Sequence, residues 1–458
     1  MIVAPTAAGK SFLIAEVARG WKEPILVLQP SKELLEQNYN KFIDQGGEAT
    51  IFSASAGKKE ISHVTYATLG SVKKAIDLLK FYGVKTILVD ECHYKFSEAK
   101  NSEFMLFIEQ LKPTKVLGFT ATPVKLVSTM EGSELKMLNR IWPRSYFKYF
   151  VDVIQIQTLV ELGFWSKIKY EVHQFDETNL KMNTSASEYT DISIKQEVKA
   201  QKVNNRIYKR IQELQAEGVN SILVFVDSVE NAQVFSQLSG IDSPTWVHGQ
   251  MNKKDRDENV SGFKSGKYKV MFNFGVLSVG FDYPDLRCVI NGRPTMSLSD
   301  YYQKIGRGTR ISKETGKEFF LYIDYCGNVH RFGKVENLTI EHLEGWGWGM
   351  FNGDYALTNV PMKAVKMTKQ DLLRKVAKKQ NKFFDARLPE CANSSVRIWF
   401  GKHQGKLVTE APIHWLEWMV SDKNPMTFSG TQMQALYKEI KRVLQKDLES
   451  KQTMLELK

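Results

Sequence analysis

Cysteine is scarce in this chain: four among 458 residues, Cys92, Cys288, Cys326 and Cys391, far apart in sequence. No pair has the short spacing of a zinc site, and four scattered thiols make no disulfide framework, so a reducing compartment is expected. The histidines His173, His248, His330, His342 and His403 form no visible ligand cluster either. Long apolar runs are missing. A helical span of a bilayer needs about 20 consecutive apolar residues, so no membrane segment is expected. The N-terminus has no basic lead, apolar stretch and small-residue cleavage site, so no signal peptide is read there. Internal repeats are lacking too, which excludes a repeat architecture.

What is abundant is positive charge, and it is unevenly placed. The formal net charge is +12, from 63 Lys and Arg against 51 Asp and Glu. From Lys363 to the end stand 19 Lys and Arg against 10 Asp and Glu, so three quarters of the excess lies in the last fifth of the chain. Such a segment is either a solvated, lysine-coated helical surface or an electrostatic footprint for nucleic-acid phosphates, and charge by itself does not choose. The apolar and charged fractions, 43% and 25%, are those of a soluble globular protein, and the length asks for two to four domains.

Residues 1 to 165 alternate short apolar, β-branched runs with helical stretches. Ile25–Leu28, Val64–Tyr66, Thr86–Val89 and Val116–Phe119 read as strands. Strands separated by helices imply a parallel sheet covered on both faces. A polar stretch from Asp176 to Ser193 breaks the pattern as a long loop or insertion. A second alternating block follows, with strand candidates Ser221–Val226, Thr245–Val247, Val270–Phe272, Cys288–Ile290 and Phe319–Ile323. The Gly- and Trp-rich stretch Gly345–Gly349 reads as a boundary, beyond which the chain is basic and mostly helical. The expected division is 1–165, 166–345 and 346–458: two α/β parallel-sheet domains and a small basic C-terminal region.

The first block opens on Ala4-Pro5-Thr6-Ala7-Ala8-Gly9-Lys10-Ser11, which ends as a phosphate-binding loop does. Backbone N–H groups of such a loop wrap a β-phosphate, the lysine neutralises β/γ oxygens and the hydroxyl holds Mg²⁺. The residues that follow, Phe12 to Ala18, read as a helix whose N-terminus adds a partial charge of about +0.5. Ala4 stands where the general pattern has its first glycine, so Gly9 alone supplies free backbone geometry. Val89 ends an apolar strand on Asp90-Glu91-Cys92-His93. Ligands gather at the carboxyl ends of strands in an open α/β sheet; there Asp90 suits Mg²⁺ and Glu91 suits polarising a water. Read alone, the same pair is an acidic loop after a buried strand. Thr120-Ala121-Thr122-Pro123 ends the next strand with hydroxyls able to bridge the acids to other elements. In the second block, Gln303-Lys304-Ile305-Gly306-Arg307-Gly308-Thr309-Arg310 puts two permanently charged guanidiniums on one helical turn. If the two blocks face each other, both reach a γ-phosphate held by the first, a contribution of about 10³–10⁵ in rate.

The order of these stretches resembles the superfamily-two helicases and translocases with a DExH box, over residues 1 to 335. Ala4–Ser11 is similar to motif I, Pro30–Leu34 to Ia, Thr65–Ser71 to Ib and Asp90–His93 to II. Thr120–Thr122 is similar to motif III, Phe225–Ser228 to IV, Gly280–Asp282 to V and Gln303–Arg310 to VI. The lead Arg293–Leu298 is similar to the branch holding type III restriction translocase subunits and phage UvsW-type recombination helicases, and Asn273–Gly280 is more similar to the phage enzymes than to the DEAD-box RNA helicases. The resemblance implies two tandem RecA-like domains using ATP and Mg²⁺. It implies Thr6, Gly9, Lys10 and Ser11 at the phosphates, with Ser11 and Asp90 holding Mg²⁺ and Glu91 as base. It further implies His93 coupling the site to Gln303, Arg307 and Arg310 as fingers, and Gly280 and Asp282 at the nucleotide, Asp282 near the ribose. Strand phosphates would meet Pro30, Ser31 and Lys32, then Thr68, Gly70 and Ser71, then Ser228, His248 and Gly249 of the motif IV region.

The function expected is an ATP-dependent DNA helicase or translocase. It would be a monomer, cytoplasmic (in the host cytoplasm if phage-encoded), acting on single-stranded, forked or branched DNA in replication, recombination or repair. Alternatives are the translocating subunit of a restriction complex, an ATP-dependent RNA helicase, and a nucleic-acid binder or annealer with a degenerate ATPase. The complete set Lys10, Glu91, Arg307 and Arg310 argues against the last. Unwinding would need a wedge, for which Trp142–Phe147 and the Asp176–Ser193 loop are candidates. In the tail, Phe400–Lys406 and Pro412–Trp418 resemble a small module of phage and bacterial nucleic-acid proteins. There Trp415 and Trp418, at helical spacing, read as core before they read as base-stacking groups.

Overall fold

The computed structural model describes residues 1–458 except 55, 95, 97–101, 130–131, 141–144, 185–187, 277–280, 282, 313, 363–365, 385–395, 399, 422–430 and 457–458. Its first lobe begins with β1 (Ile2–Val3), β2 (Ile25–Gln29), β3 (Thr50–Ser53), β4 (Lys58–Lys59), β5 (Val64–Thr68), β6 (Thr86–Val89) and β7 (Lys115–Thr120). A hairpin of β8 (Val124–Thr129) and β9 (Gly132–Met137) follows, then β10 (Asp152–Val153). Eight of these form one sheet in the order β10-β1-β7-β6-β2-β5-β3-β4, with only β3–β4 antiparallel. The second lobe holds β11 (Lys167–Val172), β12 (Ile222–Phe225), β13 (Pro244–His248), β14 (Val270–Phe274), β15 (Cys288–Asn291) and β16 (Phe319–Asp324). They form an all-parallel sheet in the order β11-β16-β15-β12-β14-β13. Central strands such as Ile25–Gln29 and Ile222–Phe225 are buried at every position, because crossover helices cover both faces. The expected α/β architecture of two tandem parallel-sheet domains is the one observed.

The strand order places the chemistry. Helices α1 (Lys10–Arg19) and α2 (Lys32–Asp44) start just past the carboxyl ends of β1 and β2. Asp90 and Thr120 stand at the same edge, after β6 and at the end of β7. The lobes meet there through one apolar core, in which Val3, Ala121 and Trp165 pack with Tyr301, Tyr302 and Ile305. Burial of this kind contributes about 25 cal/mol per Å² of apolar surface.

After the second lobe, β17 (Leu338–Leu343), β18 (Gly347–Asn352) and β19 (Tyr355–Ala356) form a small antiparallel sheet. The 345/346 division drawn from the sequence falls in the β17–β18 turn, where six paired rungs bind the two sides. The Gly/Trp stretch is thus the start of a strand. The sheet reaches back to the first lobe: Gln155 exchanges hydrogen bonds with the Ile340 main chain at 2.8 and 3.1 Å. Trp348 lies 4.8 Å from the Phe150 ring, and the Arg140 guanidinium covers Trp346. This compact unit runs to Leu373.

Residues 374–458 form a second unit. Helices Ile413–Val420 and Thr431–Glu456 close over Ile398, Val408, Leu416, Met419, Leu436 and Ile440. Trp415 joins this core and packs on His403, whereas Trp418 is 44% exposed. The spacing argument therefore holds for one tryptophan of the two. Of the proposed wedges, Trp142–Arg144 lies outside the described residues, and Phe147 is buried against Phe104 in the first lobe. The Asp176–Ser193 stretch is pinned to the second lobe through Glu188, which accepts from the Met296 N–H at 2.9 Å. Among the described residues no helix is long and apolar enough to cross a membrane.

Candidate active site

β1 delivers residues 4–9 to the carboxyl edge of the first sheet, and α1 starts at Lys10. Ala7 (φ 64°) and Gly9 (φ 75°) both take left-handed backbone, which helps turn successive N–H groups into one hollow. Ala7 adopts this conformation at a cost of roughly 1–2 kcal/mol that glycine would not incur. The loop is held from the second lobe and the linker. Tyr302 Oη accepts from the Thr6 N–H at 3.0 Å, and the Trp165 indole donates to the Thr6 carbonyl at 2.7 Å.

Lys10 Nζ pairs with Glu91 and lies 3.6 Å from Asp90 Oδ1. Burial alone would push its ammonium down, but the two carboxylates outweigh it and raise it. Burial pushes Asp90 up, against the pull of Lys10. For Glu91 burial also pushes up, but the Lys10 charge and hydrogen bond, helped by the Arg307 charge, hold it below its ordinary value. Glu91 therefore stays ionised, as a general base must. It also sits at φ 45°, a strained backbone position of the kind that clusters at functional sites. Asp90 is fixed by the Glu91 N–H (2.9 Å) and by Asn38 Nδ2 (3.1 Å), which also donates to Gln29.

These residues fit a magnesium nucleotide. Ser11 and Asp90 line one cavity with oxygen donors, the class Mg²⁺ takes. Glu91 Oε2 is buried and accepts no hydrogen bond among the described residues, with His93 Nδ1 3.4 Å away.

The cavity, about 470 Å³, is walled by Thr6, Gly9, Lys10, Ser11, Asp90 and Glu91 from one lobe. Gln303, Arg307 and Arg310 wall it from the other. Arg307 is buried and donates to the Phe281 carbonyl (2.7 Å) and to Gln303 Oε1 (3.3 Å). The helix Leu298–Gly306 carries Gln303, and Arg307 follows as its cap. Arg310 lies past the helix in a bridge to Trp165, so the two arginines do not share one helical turn as expected. The helix ends on a glycine for a steric reason. A Cβ at Gly306 would meet Thr6 Oγ1 at 2.7 Å and Cγ2 at 2.8 Å.

His93 does not pair with Gln303 as expected. Its Nδ1 meets Thr120 Oγ1 and its Nε2 meets Ser299 Oγ, both at 2.7 Å, and Ser299 also meets Thr122 Oγ1 at 2.8 Å. Ser299 stands one turn before Gln303 on the same helix, so His93 contacts the expected helix through a different and shorter side chain. Burial lowers the His93 imidazole to about 4, so it is neutral. Gly280 and Asp282 lie outside the described residues.

The residues expected at nucleic acid stand at carboxyl strand ends of both sheets, past β2, β5, β12 and β13. Ser31 and Ser228 cap helices by accepting from Leu34 and Asn231 N–H groups. Pro30 precedes the first cap and Lys32 pairs with Glu36 at 3.5 Å. Thr68 and Ser71 hydroxyls meet at 3.1 Å, and Gly70 between them faces open space. His248 stacks on Trp246, with open space at Gly249. Arg256 bridges to Glu33 at 3.4 Å, joining the lobes beside this edge.

Sequence reasoning missed Asn38, Trp165, Ser299 and Tyr302. Asn38 had a signal: an amide on the buried Leu35–Asn38–Phe42 face of α2 needs a polar partner.

Two family descriptions match this frame: "Type III restriction enzyme, res subunit" over residues 1–125 and "Helicase conserved C-terminal domain" over 204–312. The "51.5 kDa protein" of Lactococcus phage (isolate 7-9) is 26% identical, over 76% of this chain and 70% of its own length. The protein assigned as the mitochondrial ATP-dependent helicase irc3 of Schizosaccharomyces pombe is 30% identical, over 69% of this chain but only half of its own. Among solved structures, a fragment assigned to the HsdR subunit of a type I restriction enzyme from Vibrio vulnificus YJ016 shares the fold. Its TM-score is 0.53 at 18% identity, covering 73% of this chain and 61% of that one. With a phosphate loop, an acidic pair and two arginines converging on one inter-lobe cavity, the chain belongs to superfamily two of the ATP-dependent helicases and translocases.

Proposed function

We propose that this protein is an ATP-driven motor on DNA that steps along one strand to unwind or migrate forked or branched substrates. One observation carries the reading: Lys10 and Glu91 from one lobe and Arg307 and Arg310 from the other wall a single cavity. Such a site is complete only while the lobes are apposed, so binding and hydrolysis of ATP are linked to lobe motion. Lys10 and the loop amides bind the phosphates, Glu91 orients and deprotonates the attacking water, and the arginines meet charge developing in the transition state. Ser11 and Asp90 would hold Mg²⁺, which would supply charge neutralisation at the phosphate oxygens. Gly280 and Asp282 are assigned to the nucleotide, Asp282 near its ribose, by their place in the motif order.

DNA is preferred to RNA because the description matched over residues 1–125 is that of a restriction enzyme subunit. The same match favours one second reading, a translocase subunit that moves without unwinding. The helix starts and main-chain groups at the strand ends suit phosphate contacts that ignore sequence, and the basic tail would anchor duplex. A monomer in the cytoplasm, in the host when a phage encodes it, completes the proposal.

The test is ATP hydrolysis measured with single strands, forks, four-way junctions and RNA duplexes, alongside strand separation. Stimulation and unwinding on DNA substrates support the motor. Stimulation without strand separation, together with a co-purifying second subunit, supports the translocase, and equal response to RNA removes the DNA preference.

A further inference from the structure

Lys317, in the turn leading to β16, has no role so far, yet it is buried. Its ammonium donates to three carbonyls: Gly308 at 2.8 Å, Pro284 at 2.9 Å and Arg310 at 3.0 Å. An ammonium has three donors, and here main chain satisfies all of them. The carbonyls come from two stretches distant in sequence. Pro284 follows motif V by two residues, while Gly308 and Arg310 belong to motif VI. Arg310's carbonyl also accepts from Ser166 Oγ at 2.8 Å, so the Pro284 stretch and motif VI meet at one charge and the linker joins them through Arg310. Below it lies the Phe320 ring, whose close approach needs the bare backbone of Gly308: a Cβ there would meet it at 2.2 Å.

The geometry points to Lys317 as a positioning residue of the ATPase site, drawing the Pro284 stretch and motif VI onto one ammonium so that Arg307 and Arg310 stay in the cavity wall. The inference rests on the ATPase reading above. A charged donor makes stronger hydrogen bonds than a neutral one, and one atom serves both loops at once. Burial depresses this ammonium to about 7, with Asp285 opposing and Arg287 and Arg310 adding to the fall. In the unfolded chain it titrates near 10.5. Between those values the unfolded chain binds the extra proton, so stability rises with pH across that window. Loss of the same proton loosens the clamp, so turnover falls as stability rises. A lysine serving packing alone would not separate the two.

The experiment uses the full chain, with kcat and KM for ATP at saturating single-stranded DNA and urea unfolding, both from pH 6 to 9.5. Wild-type kcat is expected to fall with an apparent pKa near 7 while the urea midpoint rises. Lys317→Arg, charged throughout, should flatten the fall in kcat. Lys317→Met should lower kcat about 10²-fold at pH 6.5, the effect of a misplacement on the order of 1 Å, with KM nearly unchanged. If that variant fails to fold, the wild-type profile and the arginine variant decide. A flat wild-type profile, an arginine variant that keeps the fall, or a methionine variant with wild-type kcat overturns the assignment of Lys317 alone. A wild-type chain that hydrolyses no ATP overturns it together with the ATPase reading.

Discussion

Gly306→Ala offers a sharp test of how the second lobe is seated. The added Cβ would lie 2.7 Å from Thr6 Oγ1, 2.8 Å from Cγ2 and 3.1 Å from Cβ. Rotating the threonine side chain does not clear the last contact. Thr6 cannot retreat easily either, since Tyr302 and Trp165 hold its N–H and carbonyl at 3.0 and 2.7 Å. Something must open by several tenths of an ångström. Overpacking of this size costs about 1–3 kcal/mol. Because Arg307 follows directly on Gly306, the opening also moves a guanidinium, and a misplacement approaching 1 Å costs about 10²-fold in rate. The assay is steady-state ATP hydrolysis at saturating DNA, with a DNA-binding titration as control. The expected result is a kcat lower by about 10–10²-fold, DNA affinity unchanged, and partial recovery in the Thr6→Ala/Gly306→Ala pair, which removes the two nearest atoms. A Gly306→Ala protein with wild-type kcat would show that the helix is not seated on the phosphate loop during turnover.

Further outcomes follow from the same geometry. Glu91→Gln should lower DNA-stimulated hydrolysis by about 10²–10⁴-fold while DNA binding persists. Lys10→Ala should abolish hydrolysis and also destabilise the fold by about 3–5 kcal/mol in thermal unfolding, because it strands Asp90 and Glu91 without their cation. A Ser299→Ala, His93→Ala double-mutant cycle on kcat should give a coupling of about 0.5–3 kcal/mol, and strict additivity would remove the inter-lobe relay. Burial depresses His93 to about 4 from its ordinary 6.5, so its contribution to stability is complete above pH 6.5 and lost as pH falls toward 4. His93→Gln should flatten that acid limb in urea titrations, by on the order of 3 kcal/mol.

Local chemistry was legible in the sequence, and contacts made only by folding were not. The phosphate loop and acidic pair were readable because each works through a few adjacent residues at one strand end. The nine strands expected from β-branched runs are all present, since both-face burial demands continuous apolar sequence. The β17–β19 sheet was hidden because glycines in Gly345–Gly349 read as a break, although Gly and Trp alternate there with the period of a strand. The partner of His93 was misassigned because Ser299 and Gln303 lie one turn apart on one helix face, and only the packing of that helix selects between them. Tyr302 and Trp165 gave no signal, as an aromatic is more often core, and both are core residues that also carry a hydrogen bond.

The most direct measurement is ATP turnover by Arg307→Ala at saturating ATP and single-stranded DNA. A site shared between the lobes predicts a kcat lower by about 10³-fold or more, with ATP affinity nearly retained. Turnover equal to wild type would mean that the first lobe hydrolyses ATP without the second, and the account of a two-lobed motor would be contradicted.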